Sequence, residues 1–264
     1  MTESAGSRRV GLARALSKLG YCSRSRAIAL IREGRVRLNG ATQRDPERPV
    51  RPEHDRIEVD GHAVAAQSRV WLMLNKPRGV VTSASDEKGR STIYDCLKPG
   101  LPWLAPVGRL DKASEGLLLM TNDSEWGARV AAPETHLDKT YHVQIAALAD
   151  AALTEKLIRG IRAGGSETLR AKSAQILRHG ERNSWLEIVL DEGKNRQIRR
   201  MFEGLGIDVL RLVRVAIGPL ALGDLAKGAS RPLTHDEKRI LDDAMPRRGE
   251  KRKEPSSRTA EAGG

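Results

Sequence analysis

The segment GRLDKASEGLLLMTND, residues 108–123, contains the most informative pattern in this chain. Two glycines, Gly108 and Gly116, bracket a polar loop that runs directly into an apolar run from Leu117 to Thr121. A short apolar run bounded by turn residues is typical of a buried strand. The sequence therefore predicts a polar loop at the start of a strand.

This loop carries a carboxylate, Asp111, between two cations, Arg109 and Lys112. Neighbouring positive charge favours the ionised form of a carboxylate, and that form suits a nucleophile or a general base rather than an acid. The alternative is an aspartate that caps a turn or makes a surface ion pair. From the residues alone, both interpretations stay open.

The segments outward from this loop predict an α+β fold. Asp150 can cap a helix, Thr234 and Glu237 form a capping box, and residues 195–205 are typical of a helix that ends before Gly206. Strands and helices do not alternate regularly, which favours a mixed, largely antiparallel sheet. The strand-like runs are VWLMLNKP, LLLMT, KTYHVQIAAL, SWLEIVLD and VLRLVRVAI.

A smaller module precedes this sheet, at residues 10–66. Ser23 can cap the second of two short helices, and Asn39-Gly40 is a strong type I′ hairpin signal. We therefore expect an α-α-β module at residues 10–66 and a larger domain at residues 70–245.

The charge of the chain suggests a polyanionic partner. There are 46 Lys and Arg residues against 34 Asp and Glu, a formal net charge of +12. Residues 14–37 hold seven cations against Glu33 alone, and like charges so close together repel one another. RNA or DNA contact is favoured over a solvated helix face. The cations that we assign to this contact are Arg14, Lys18, Arg24, Arg26, Arg35 and Arg37.

A second basic segment, EGKNRQIRRM, spans residues 192–201 at the start of the helix predicted there. Cations are electrostatically misplaced at a helix N-terminus, so an anion-binding role is favoured over a solvated helix start. The cations concerned are Lys194, Arg196, Arg199 and Arg200. In the segment KTYHV, Tyr141 is either a packing residue or a ring that can stack on a base.

Composition excludes several classes of protein. Hydrophobic residues make up 39% of the chain, which excludes wholesale disorder, although residues 1–9 and the basic stretch 246–264 are expected to be disordered. No apolar run approaches the roughly 18 residues of a membrane span, and the N-terminus lacks the apolar region of a secretion signal. Cys22 and Cys96 have no disulfide or metal spacing. We expect a cytoplasmic protein.

The familiar catalytic motifs are also missing from the sequence. There is no phosphate-binding glycine loop, no nucleophile elbow and no HExxH pair, and the six histidines are scattered. These observations argue against nucleotide hydrolysis and metal catalysis.

Taken in order, the segments resemble the RsuA-type pseudouridine synthases, which join an S4-type RNA-binding domain to a catalytic domain. SRSRAIALIREGRVRLNG resembles the S4-type module, and LNKPRGVVTS, VGRLDKASEGLLLMTND, KTYHV and EGKNRQIRRMFEGLG follow in the family's order. The resemblance covers residues 10–243. Ser124 departs from it, since the family usually has glycine there, and this touches a turn rather than the chemistry.

The resemblance implies an enzyme that breaks the C1′–N1 bond of a uridine, rotates the uracil and rejoins it through C5, without a cofactor or metal. Asp111 matches the catalytic aspartate, which either attacks C1′ or removes a sugar proton. Tyr141 matches the tyrosine that stacks on the uracil, and Arg199 matches the arginine that pairs with the carboxylate. Arg109 matches a position that helps to hold the RNA open. The S4-type module would contact phosphates.

The substrate implied is ribosomal RNA or a pre-ribosomal particle, with 23S RNA favoured over 16S RNA, and the enzyme is expected to be a monomer. Two other interpretations stay open from the sequence. One is a non-catalytic ribosome-assembly factor that binds ribosomal RNA with the same folds. The other is an RNA N-glycosidase, which would release free uracil.

Overall fold

The computed structural model describes residues 9–84, 89–163 and 167–246. Within the N-terminal module, Ser23 caps the second helix by accepting a hydrogen bond from the Arg26 backbone N–H at 3.1 Å. Asn39 and Gly40 have φ angles of 50° and 85°, as a type I′ turn requires. The elements are β1 (Val10–Gly11), α1 (Leu12–Lys18), α2 (Arg24–Arg32), β2 (Val36–Leu38), β3 (Ala41–Gln43), β4 (Pro49–Val50), β5 (Ile57–Val59) and β6 (His62–Ala63).

The larger part of the described chain is built on one central sheet. Its strands are β7 (Trp71–Lys76), β8 (Ala105–Val107), β9 (Glu115–Thr121), β10 (Lys139–Ile145), β13 (Ser173–His179), β14 (Ser184–Leu190), β15 (Val209–Ile217), β16 (Leu220–Ala221) and β17 (Ser230–Pro232). A separate small hairpin is formed by β11 (Ile161–Arg162) and β12 (Thr168–Leu169). The helices are α3 (Ser124–Ala131), α4 (Ala151–Arg159), α5 (Gln197–Glu203) and α6 (His235–Ala244), with 3₁₀ turns at Ile93–Cys96 and Pro133–Thr135.

The central sheet runs in the order β13-β14-β10-β15-β9-β7-β17, with β16 paired to β15 and β8 paired to β9. Among the described strands of this sheet, β9 and β15 form the one parallel pair. The predicted α+β fold with a mixed, largely antiparallel sheet is confirmed. All seven residues of β9 are buried and β9 lies between β15 and β7, so the Asp111 loop leads into an interior strand of the sheet.

Most predicted helix signals are confirmed, and one boundary differs. Asp150 caps α4, and Thr234 and Glu237 form the capping box of α6. The helix predicted to begin at residue 195 begins at Gln197, because Arg196 has a left-handed φ of 50° and cannot belong to the helix. The sequence predicts disorder for residues 1–9 and 246–264, and all of these except Arg9 and Pro246 lie outside the described residues.

Candidate active site

The Asp111 loop forms one wall of a cavity of about 700 Å³ in the central sheet. The opposite walls come from β10, from β15 and from the segment that leads into α5. Asp111, Tyr141 and Arg196 line this cavity together, although they are up to 85 positions apart in the sequence. The exposed side chain of Arg109 and that of Lys194 line it as well.

Backbone contacts hold the Asp111 loop in place. The Ser114 backbone N–H donates to the carbonyl of Asp111 at 3.0 Å, and the Thr82 hydroxyl donates to the carbonyl of Leu110 at 2.7 Å. The Asp111 side chain keeps 35% of its surface exposed. A fixed backbone with a partly exposed carboxylate is what a reacting group needs.

Gly116 lets the start of β9 lie against β15. Its φ is +103°, and a Cβ built there would lie 2.2 Å from the carbonyl oxygen of Arg214. No other residue fits this position without moving the backbone of one strand. The parallel pairing of Gly116 with Arg214 therefore sets the distance between the Asp111 loop and β15.

Lys76 is a fully buried cation that the sequence analysis missed. It ends β7 opposite Gly116, and its Nζ donates to the carbonyl of Ser114 at 2.8 Å. Burial lowers the pKa of Lys76 to about 8, while the negative charges of Asp111 and Glu115 oppose that shift. Lys76 thus ties the Asp111 loop to β7 from beneath. In the sequence Lys76 belongs to a strand-like run and precedes a proline. This pattern does not indicate that the lysine is buried.

Glu115 is a second buried ionisable group beside the loop. Burial opposes its ionisation, but hydrogen bonds from Arg211 and Lys227 outweigh that effect and lower its pKa. Arg211 contacts both carboxylate oxygens at 3.1 Å. The start of β9 is therefore anchored by a compensated charge cluster.

Asp111 forms an ion pair with Arg196, at 3.9 Å between Nη1 and Oδ2. Arg199, the arginine expected to pair with Asp111, makes its hydrogen bonds elsewhere. Arg199 faces inward from the first turn of α5 and donates to the carbonyls of Ala113 and Val209, at 3.1 and 3.4 Å. Arg196 reaches the carboxylate because its left-handed backbone turns it out of the helix into the cavity. The charges of Arg199 and Asp111 still interact at longer range.

Comparisons with known proteins identify the two parts of the chain. The family model described as RNA pseudouridylate synthase matches residues 70–204, and the S4 domain model matches residues 10–57. The chain belongs to the RNA pseudouridine synthase family. Members of this family are isomerases that convert uridine to pseudouridine in RNA, and this is the activity of the enzyme described here.

Individual relatives resemble the pseudouridine synthase over most of its length. Ribosomal large subunit pseudouridine synthase B of Bacillus subtilis is 38% identical over 87% of this chain and 94% of its own length. An RNA pseudouridine synthase of Aquifex aeolicus is 37% identical over 84% of this chain and 89% of its own. A crystal structure of a pseudouridylate synthase matches with a TM-score of 0.61 and 31% identity, covering 88% of this chain and 99% of that one.

All three cations of the segment 192–201 that were expected to bind RNA have acidic partners. Arg196 lies 3.5 Å from Glu203 in addition to its contact with Asp111. Lys194 pairs with Glu192 at 3.1 Å and with Glu167 at 3.7 Å. Arg200 also pairs with Glu167, at 2.5 Å, and does not line the cavity. In the folded synthase, acidic side chains from outside residues 192–201 therefore compensate part of the positive charge of this segment.

In the S4 domain, too, several cations predicted to contact RNA are paired with acidic side chains. Arg24 pairs with Glu47, Lys18 with Glu125, and Arg35 with Asp60 and Glu33. Three of these acids lie outside residues 14–37, so a local count of charges could not include them. Among the residues that the structure describes, the predicted RNA-contacting cations without a carboxylate partner are Arg14, Arg26 and Arg37.

The described residues contain neither a candidate metal site nor a candidate membrane span. No group of three or more histidine, cysteine or acidic side chains is placed to hold a metal ion. None of the described helices has the length and apolar character needed to cross a membrane.

Proposed function

We propose that this pseudouridine synthase isomerises a specific uridine of large-subunit (23S) ribosomal RNA, with Asp111 as the catalytic carboxylate. The observation that carries the proposal is the shared cavity, in which Asp111 and Tyr141 face one space from different elements. The name of the Bacillus subtilis relative, which spans nearly the same length, supports the large subunit as the source of the RNA.

In the proposed reaction Asp111 acts on the ribose. Its carboxylate either attacks C1′ or removes a sugar proton, and the C1′–N1 bond breaks with its electron pair on N1. The uracil turns over and C5 bonds to C1′, as the aspartyl–C1′ bond breaks or, on the other route, as Asp111 returns the proton to the sugar. The proton on C5 then leaves and N1 is protonated. Tyr141 stacks on the base during this rotation, and Arg196 and Arg199 hold positive charge beside Asp111.

The uridine must leave its stack to reach the cavity, at a cost of a few kcal/mol that phosphate contacts offset. The unpaired arginines Arg14, Arg26 and Arg37 of the S4 domain are suited to supply such contacts, and Arg109 is suited to hold the RNA open where the base leaves. On this proposal residues 10–66 bind RNA and residues 70–245 catalyse, in a monomer that acts in the cytoplasm on ribosomal RNA or a pre-ribosomal particle.

Removing two unpaired arginines tests the RNA surface. The double variant Arg14→Gln/Arg26→Gln should bind ribosomal RNA more weakly, with a salt dependence flatter by about 0.7 for each lost single-strand phosphate contact. Arg159→Gln is the control, since Arg159 lies on α4 and is paired with Glu155. Affinity is measured over a range of salt concentrations. An unchanged slope in the double variant would place the RNA elsewhere.

Tritium release tests the proposed substrate directly. The synthase is incubated with 23S and 16S RNA labelled with tritium at uridine C5, because formation of the C5–C1′ bond expels that hydrogen. Release from 23S RNA alone is the expected result, and release from 16S RNA alone would contradict the large-subunit assignment. Free uracil in the same reactions would point to the N-glycosidase. Binding without release, on assembly intermediates as well as on naked RNA, would point to the assembly factor.

A further inference from the structure

Arg214 is a buried cation in the wall of the cavity with unused hydrogen-bonding capacity. Only 6% of its surface is exposed, and its Nε donates to the carbonyl of Leu117 at 2.8 Å. Its Nη2 has no hydrogen-bond partner. Buried guanidinium nitrogens are almost always paired, so an unpaired one in a substrate cavity indicates a missing acceptor.

The charge of Arg214 is uncompensated as well. No carboxylate in the described parts of the chain forms an ion pair with it. The second cation of this wall, Lys139, is partly buried. Burial and the charge of Arg214 lower the pKa of Lys139 and outweigh the opposing effect of the Asp138 and Asp191 carboxylates. Two cations that repel each other inside a cavity favour a negatively charged occupant.

The strand register brings this charge to the base-binding side of the cavity. A bulge between Thr140 and Tyr141 pairs Tyr141 with Arg214 across β10 and β15. Lys139 precedes Tyr141 by two residues, on the same side of β10. All three side chains line the cavity into which Asp111 also projects.

We propose that Arg214 is a catalytic residue that, together with Lys139, stabilises the uracil anion formed when the C1′–N1 bond breaks. This inference rests on the proposed function. Heterolysis leaves the bonding pair on N1, from which the negative charge spreads to the carbonyl oxygens of the ring. When C5 attacks C1′, the electrons return to the new bond, the proton on C5 leaves and N1 is protonated. The arginine is needed only while the base is detached.

The test compares two leaving groups in one RNA. Single-turnover loss of the N-glycoside is measured with uridine or 5-fluorouridine at the modified position, because fluorine makes the detached base a more stable anion. Arg214→Gln should slow the uridine reaction about 100-fold, the typical effect of removing a donor to a developing anion. With 5-fluorouridine, the loss of rate caused by Arg214→Gln should be about tenfold smaller. Lys139→Gln should show the same pattern as Arg214→Gln, with a larger loss of rate on uridine than on 5-fluorouridine.

Arg178→Gln is the matched control, since Arg178 lies over the Trp185 ring on the same sheet and outside the cavity. It should leave both rates unchanged. Equal losses on both substrates would overturn the proposal, as would weaker RNA binding with an unchanged rate. If Arg214→Gln fails to fold, Arg214→Lys and Lys139→Gln decide the question by the same comparison. If the proposed function itself is wrong, the wild-type enzyme will not turn over this RNA, and this result is distinct from every outcome of the variants.

Discussion

Replacing Asp111 with asparagine is expected to abolish tritium release from uridine-labelled ribosomal RNA, with a loss of about 10⁴-fold or more. The amide keeps the shape of the side chain, but it can neither attack C1′ nor accept a sugar proton. RNA affinity should stay within a few-fold of wild type, because only one side chain of the cavity changes.

Asp236→Asn is the control for this variant, since Asp236 lies exposed on α6 and is paired with Arg239. It removes a carboxylate far along the chain from the cavity and should leave turnover intact. Substantial activity of the Asp111→Asn enzyme would refute the catalytic assignment. A matching loss in RNA affinity would instead assign Asp111 to binding.

The second large effect is expected at Gly116. Alanine there adds a Cβ 2.2 Å from the Arg214 carbonyl oxygen, at a φ that side chains rarely adopt. Strain and clash together should lower the free energy of unfolding by about 3 kcal/mol or more. Urea denaturation measures this loss, which is a large part of the stability of a typical domain.

Gly40→Ala separates the two causes. Gly40 also has a positive φ, +85°, but nothing lies within 4 Å of an added Cβ. In Gly40→Ala, backbone strain alone should lower the free energy of unfolding by about 1 kcal/mol. If Gly116→Ala is no more destabilising than Gly40→Ala, the close approach of β9 to β15 does not limit the residue at this position.

The features that the sequence predicted correctly are local ones. Ser23 lies three residues from the backbone N–H that it caps, and the Asn39-Gly40 turn depends on the φ preferences of two adjacent residues. The run from Leu117 to Met120 is apolar throughout, as the buried centre of a sheet requires. Such signals are complete within a few residues of sequence.

The features that could not be predicted depend on long-range pairing. Arg35 is neutralised by Asp60, which is 25 positions away and meets it only once β2 and β5 pair. Lys76 and Arg214 read as ordinary strand residues, and their burial follows from the order of the strands. The preference of Asp111 for Arg196 over Arg199 depends on one left-handed residue that periodicity does not reveal.

The central claim is that this cavity makes pseudouridine in large-subunit ribosomal RNA. The most direct test is to map the pseudouridines in 23S and 16S RNA from cells that lack the gene. In cells, every assembly intermediate that could be the substrate is present. We expect at least one pseudouridine to disappear from 23S RNA, to return with the wild-type gene and to stay absent with Asp111→Asn. An unchanged set of pseudouridines in 23S RNA, or a loss confined to 16S RNA, would contradict the claim.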